Sequence, residues 1–437
     1  MKWGQVKTLE GQGVPLDQAE AITAAAITNQ SLVPKEEMQA ESKIKAEVQN
    51  SQDLQIIFGT GPDIGQSQGN IQIDYKLRQA ENNKVTINVN PNGSGDFMTI
   101  TEAINSIPAP NSRRVVVFIA PGLYREKIVI PRDLDFITFL GDATKKPIIT
   151  GNDRSSTIGS DGEPLATFKS ATVAVDADYF IAINIVFENT ASPRIGSKDD
   201  QAVALRVSGN KCAFYNSDFY GFQDTLYDHK GLHYFKGCKI QGTIDFIFGN
   251  GRSLYQGCTI NSIAQNVSFI TAQKRSSLTT DDSGFSILKS KVIGSGKVYL
   301  GRPWGDYSRV IFSYTYMDSL VLPQGWVDTM DDGDHHLSVF YAEYKCTGPG
   351  SNFAGRLPWI QRLSDKDAQE FIGVHFIYGE TWLITSGGAR TLVQGNRVSG
   401  NDEEKEEGFG TTLQDYKCSK LGMTTEHAGT RLNPPRV

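Results

Sequence analysis

Residues 221–250 read GFQDTLYDHKGLHYFKGCKIQGTIDFIFGN, and the two halves of this stretch repeat each other. Phe219-Tyr220-Gly221-Phe222-Gln223-Asp224-Thr225-Leu226-Tyr227 aligns with Ile240-Gln241-Gly242-Thr243-Ile244-Asp245-Phe246-Ile247-Phe248. Apolar falls on apolar, Gly on Gly, Asp on Asp and aromatic on aromatic. A weaker third copy begins at Ile260 and carries Gln265 where the others carry the acid. A repeat of about 20 residues built from strand-like runs predicts the stacked coils of a solenoid. Equivalent residues of neighbouring coils then stand roughly 4.8 Å apart, which puts Asp224 over Asp245 on one face. Two carboxylates held so close cannot comfortably both ionise, so one is driven toward its protonated form. Repetition thereby sets an acid beside a base or nucleophile.

Composition narrows the partners. The 437-residue chain has a net charge of -6 and no polybasic run, which argues against nucleic acid. No run approaches the ~18 apolar residues of a membrane span. The N-terminus, MKWGQVKTLEGQG, has no signal-peptide apolar core. Cys212, Cys238, Cys258, Cys346 and Cys418 form no CxxC pair and show no His spacing suited to zinc, so no metal or other cofactor is expected. Cys212 and Cys238 fall in adjacent coils. A disulfide between them and a pair of buried free thiols are both open readings.

Along the chain, residues 1–83 form a Gln-, Ala- and Glu-rich extension with helical stretches at Leu16–Thr28 and Pro34–Val48. From Lys84 the pattern changes to short apolar strands cut by Gly, Pro and Asn, with one short helix over Ile100–Ile107. Strands recurring without amphipathic helices between them exclude a doubly wound sheet. The expected fold is all-β: a right-handed, single-stranded parallel β-helix over residues 84–386 with short helices at its ends. Residues 387–437 turn polar, with an acidic block at 402–407, and read as a disordered tail.

The chemistry centres on Asp224 and Asp245, each set among Phe, Ile, Leu and Tyr, where an unused charge is costly. The blander reading makes them turn caps. Gln223 and Gln201, neutral amides beside the pair, suit an oxyanion. Arg302, in Leu300-Gly-Arg-Pro-Trp304, suits a partner that keeps one Asp ionised, although an isolated Arg is more often simply solvated. Tyr227, Phe248, Trp304 and Trp326 fit the walls of a sugar groove, and equally the interior of any solenoid. There is no Gly-x-Ser-x-Gly elbow. Asp331-Asp-Gly-Asp-His-His336 lacks EF-hand spacing and reads as a solvated turn.

Four motifs, QAVALR, GFQDTLY, GTIDFIFGN and YLGRPW, occur in an order that resembles the plant pectin methylesterases. GSGDFMTITEAINSIP, PGLYREKIVIP and SVFYAEYKCTGPG extend the likeness over roughly Val85 to Ile384. The resemblance implies a β-helical, metal-free hydrolase of galacturonosyl methyl esters that is secreted to the cell wall and monomeric. Pectin would be its partner, together with a proteinaceous inhibitor. It implies Asp245 as nucleophile, Asp224 as general acid and later base, Gln201 and Gln223 at the oxyanion, and Arg302 orienting Asp245. Thr167, Tyr227, Phe248 and Trp304 would touch the polysaccharide. One of the family's disulfides would fall on Cys212 and Cys238. The alternatives are a glycosidase of the same polymer, whose retaining members hold two carboxylates about 5–5.5 Å apart, and an inactive pectin-binding wall protein.

Overall fold

The computed structural model describes residues 73–194, 200–327 and 338–383, with the backbone of 329–330 and 333–334. The two N-terminal helical stretches, the polar tail and most of the 331–336 turn lie outside these residues. Each coil contributes a short strand to each of three faces, and each strand pairs in parallel with the coils above and below. One face runs through Ile128–Ile130, Val173–Val175, Leu205–Val207 and the first residues of Leu226–Lys236 and Ile247–Gln256. A second runs from Val85–Val89 through Val115–Ile119, Ile137–Gly141, Ile181–Ile183 and Cys212–Tyr215 to Phe340–Tyr344. The third links Leu123–Arg125, Ile148–Gly151, Val186–Asn189, Asp218–Tyr220 and Lys239–Gly242. This is the expected parallel β-helix.

In-register stacking explains the interior. Phe214, Phe235 and Tyr255 form a file with ring centroids 4.8 and 4.5 Å apart, all fully buried. Parallel pairing repeats one side chain per coil, so a large aromatic on one level calls for another on the next. The corners repeat as well. Asn184, Asn216, Gly237, Gly257, Lys289, Tyr314 and Lys345 all adopt positive φ, and strand register places them at the same bend of successive coils. A left-handed residue there turns the chain from the second face to the third. Asp224 and Asp245 do the same at the bend entering the first face, with φ of 62° and 49°.

Three expectations need correction. The Cys212–Cys238 disulfide is absent and both are free thiols. Register gives the reason, since Cys212 pairs with His233. Cys238 instead stacks on Cys258, which in turn lies against Ser290. Gln265 does not stand over Asp245 either. The third copy has extra residues that bulge outward between Ile263 and Val267, so the Asp245 N–H donates to the Phe269 carbonyl at 2.9 Å. Finally, a boundary at residue 84 cuts through packed structure. The helix Tyr75–Asn82 buries Leu77 and Ala80, and Glu81 accepts from the buried Arg114 Nε at 2.7 Å. Its N-cap Asp74 takes hydrogen bonds from the Tyr179 hydroxyl at 2.5 Å and Lys211 Nζ at 2.9 Å. Here tertiary contacts, not local propensity, fix a short helix.

Candidate active site

The bend that enters the first face carries both acids, one coil apart. The Asp224 N–H donates to Ile244 O and the Leu226 N–H to Phe246 O, each at 3.0 Å, which sets Asp224 level with Asp245. Asp tolerates the left-handed conformation better than most residues, and strain of this kind collects at functional sites. The side chains are 8% and 2% exposed, so both carboxyls are largely shielded from water.

Arg302 sets the two acids apart. Register carries it to the column of Tyr227 and Phe248, because Ala272 pairs with Phe248 below and with Arg302 above, and from there its side chain reaches Asp245. Its Nε donates to Asp245 Oδ1 at 3.0 Å and Oδ2 at 3.2 Å, while Nη2 also contacts Oδ2. The guanidinium lies 4.7 Å from the Phe269 ring centre, which confines it. Burial raises the Asp245 carboxyl above its ordinary value, and Arg302 and the Trp304 indole pull it back. Asp224 has no such donor. Burial first, and the nearby Asp245 charge second, drive it well above the carboxylate range, with Arg302 only a counterweight. The pair is therefore unequal: Arg302 favours the charged form of Asp245, while burial and the Asp245 charge favour the neutral form of Asp224.

A pocket of about 120 Å³ opens above the acids, lined by Thr167, Asp224, Tyr227, Asp245, Phe248, Gly249, Ala272, Lys274 and Trp304. Tyr227 and Phe248 stack at 4.3 Å and form one wall, while Trp304, 48% exposed, stands at the mouth. Gly249 is required: at φ +125° a Cβ would come within 2.1 Å of the Asp228 carbonyl. Gln201 and Gln223 flank the bend, joined through the Ala202 N–H to the Gln223 carbonyl at 3.1 Å. The Gln201 Oε1 accepts from Ser155 Oγ at 2.7 Å, which orients its amide.

The structure gathers Thr167, Asp224, Tyr227, Asp245, Phe248 and Trp304 around one pocket with Arg302 against Asp245, and sets the backbone of Gln201 and Gln223 at the bend, but it places Trp326 elsewhere. That side chain is 0% exposed, stacked on Tyr341 at 4.3 Å, with Nε1 donating to Glu343 at 3.3 Å. It belongs to the interior and not to a groove wall. Sequence reasoning missed Gly249, Ala272 and Lys274, because the bulge in the third copy hid which residues stand over Phe248. It also missed Phe168, next to Thr167. Phe168 lies under the Arg206 guanidinium at 3.7 Å and meets Tyr227 edge-on at 6.3 Å, which braces the wall.

A pectinesterase family model matches residues 86–380, most of the chain. The chain belongs to the pectinesterase family. It is 42% identical to pectinesterase QRT1 of Arabidopsis thaliana over 306 residues, 70% of this chain and 80% of that protein. Against pectinesterase 31 of the same plant it is 40% identical, covering 70% of this chain and 97% of that protein. Among solved structures, pectin methylesterase from carrot superposes with a TM-score of 0.62 at 35% identity, covering 68% of this chain and 94% of that one. Another pectin methylesterase, solved in complex with a hexasaccharide, superposes with a TM-score of 0.58 at 28% identity, over 68% of this chain and 98% of that one. This pectinesterase is thus a carboxylic ester hydrolase, and de-esterification of pectin is the activity its relatives support.

Proposed function

We propose that the protein hydrolyses the methyl ester of galacturonosyl units in pectin through a covalent aspartyl intermediate, acting on plant cell-wall polymer outside the cell. The carrying observation is the asymmetric pair: a buried carboxylate bonded by Arg302 beside a buried carboxyl that has no such donor. Asp245 attacks the ester carbonyl and forms an acid anhydride with the substrate acyl group. The developing oxyanion takes hydrogen bonds from the amides of Gln223 and Gln201. Asp224 gives its proton to the departing methoxide, and methanol leaves. The deprotonated Asp224 then takes a proton from water as that water cleaves the anhydride. A galacturonate is released and the starting protonation returns. Thr167, Tyr227, Phe248 and Trp304 hold the sugar.

The glycosidase reading puts the acids across a glycosidic oxygen, whereas here the flanking amides and the guanidinium serve an acyl centre. Incubation of the purified protein with methylated pectin is expected to release methanol with no new reducing ends. Reducing ends without methanol would overturn the esterase reading. A protein inhibitor that covers the groove and a monomeric state remain part of this proposal, to be tested by co-purification and by sedimentation.

A further inference from the structure

Phe269 touches both halves of the ion pair on which the proposed chemistry depends. Its carbonyl accepts from the Asp245 N–H at 2.9 Å, and the Arg302 guanidinium lies over its ring, 4.7 Å from the centre. The sequence repeat leads to Gln265 at this level, and the bulge between Ile263 and Val267 replaces that amide with an aromatic ring. Bulges beside active sites re-aim side chains in this way. Ser268 and Ile270 on either side are buried while Phe269 is half-buried, as alternation along a strand requires. Ser268 Oγ donates to the Thr243 carbonyl, which pins the strand against the coil that carries Asp245. Tyr299 of the next coil backs the Phe269 ring, with centroids 5.6 Å apart and planes inclined by 14°.

Arg302 reaches Asp245 from two coils above, and its side chain is 25% exposed. A long side chain in contact with water gives up rotamer freedom to hold one carboxylate. A ring face limits that freedom without competing for the carboxylate: its quadrupole attracts the cation, and its bulk keeps water from one side of the pair. We propose that Phe269 is a positioning residue whose ring holds the Arg302 guanidinium on the nucleophile Asp245. The inference rests on the pectin-esterase reading. The other groups that face Asp245 are Asp224 from the coil below, the Trp304 indole, Lys274 on the same pocket and the Tyr341 hydroxyl, which burial keeps neutral. Replacing the Phe269 ring leaves all of these in place.

The test follows methanol release from methylated pectin by the full chain as a function of pH. The acid limb of kcat/KM reports ionisation of the nucleophile in the free enzyme. Burial disfavours the Asp245 charge and Arg302 restores it, so a looser guanidinium makes the carboxyl harder to ionise. In Phe269→Leu the acid limb should therefore move to higher pH by about half a unit. At neutral pH kcat should fall roughly three- to tenfold with KM little changed. Phe269→Tyr keeps a ring face and should keep the wild-type limb. Tyr299→Leu removes only the backing and should move the limb in the same direction by less. A purely structural role would lower Tm and leave the limb in place. An unmoved acid limb in Phe269→Leu, or an equal shift in Phe269→Tyr, would overturn the proposal; should Phe269→Leu fail to fold, an unmoved limb in Tyr299→Leu does so. Absence of methanol from the wild type would overturn the esterase reading and this inference with it.

Discussion

Burial and the neighbouring Asp245 charge hold the Asp224 carboxyl well above the ordinary carboxylate range, and this has a stability consequence. Its folded value lies well above the ordinary carboxylate value of 3.8, so the folded state holds a proton that the unfolded chain has released. Such a group contributes fully below the unfolded value, and its contribution is lost as pH rises through the folded one. Asp224→Asn, which keeps the shape without the charge, should inactivate the enzyme while gaining in Tm relative to wild type as pH rises. Thermal denaturation across mildly acid to mildly alkaline pH checks this, and parallel curves for the two proteins would refute it. The two acids were legible as a pair because the repeat is strict at their positions. Trp326 was not, since an aromatic beside a Gly reads the same in a groove as in a core, and only the stack on Tyr341 decides.

The strand Leu226–Lys236 has a second charged feature just beneath the wall. Fully buried His233 meets Asp228 through Nδ1 at 2.5 Å and the Gly209 carbonyl through Nε2 at 2.8 Å. Both partners accept, so both ring nitrogens must carry protons. Asp228 also takes the Tyr255 hydroxyl at 2.6 Å. Against the cost of burial, the Asp228 charge and hydrogen bond raise His233 from 6.5 to about 10. The stabilisation is complete below 6.5 and is lost as pH rises through about 10. Removing one partner of a buried pair costs about 3–5 kcal/mol, so His233→Leu should lower unfolding free energy by that order. The wild type should lose stability across this window more steeply than the variant. Equal slopes in chemical denaturation at several pH values would refute it. None of this was legible, because Asp228 and His233 sit outside the repeated positions. The bulge before Val267 was hidden for a related reason: extra residues in one coil break the alignment that reveals the others.

At the scale of the molecule, the solenoid was legible from its period, while its N-terminal edge was not. Glu81 lies in a short helix whose sequence carries little signal, yet it is the acid paired with the 1%-exposed side chain of Arg114. Glu81→Gln should destabilise the fold by about 3–5 kcal/mol, as expected when a buried charge loses its partner, and a chain begun at residue 84 should be affected at least as strongly. Urea denaturation measures both, and a midpoint equal to that of the parent would refute the packing role. The thiol stack also became legible only with the coils in register, since Cys238 meets Cys258 and not Cys212. The spiral stacks Asp224 on Asp245 and brings Arg302 from the column of the Phe248 wall against Asp245, so that a single guanidinium makes the two acids unlike. The most direct test is methanol release from methylated pectin by Asp245→Ala, with native thermal unfolding as the control for folding. The account predicts a fall of several orders of magnitude, to near the uncatalysed rate. A correctly folded Asp245→Ala protein that releases methanol at the wild-type rate would contradict it.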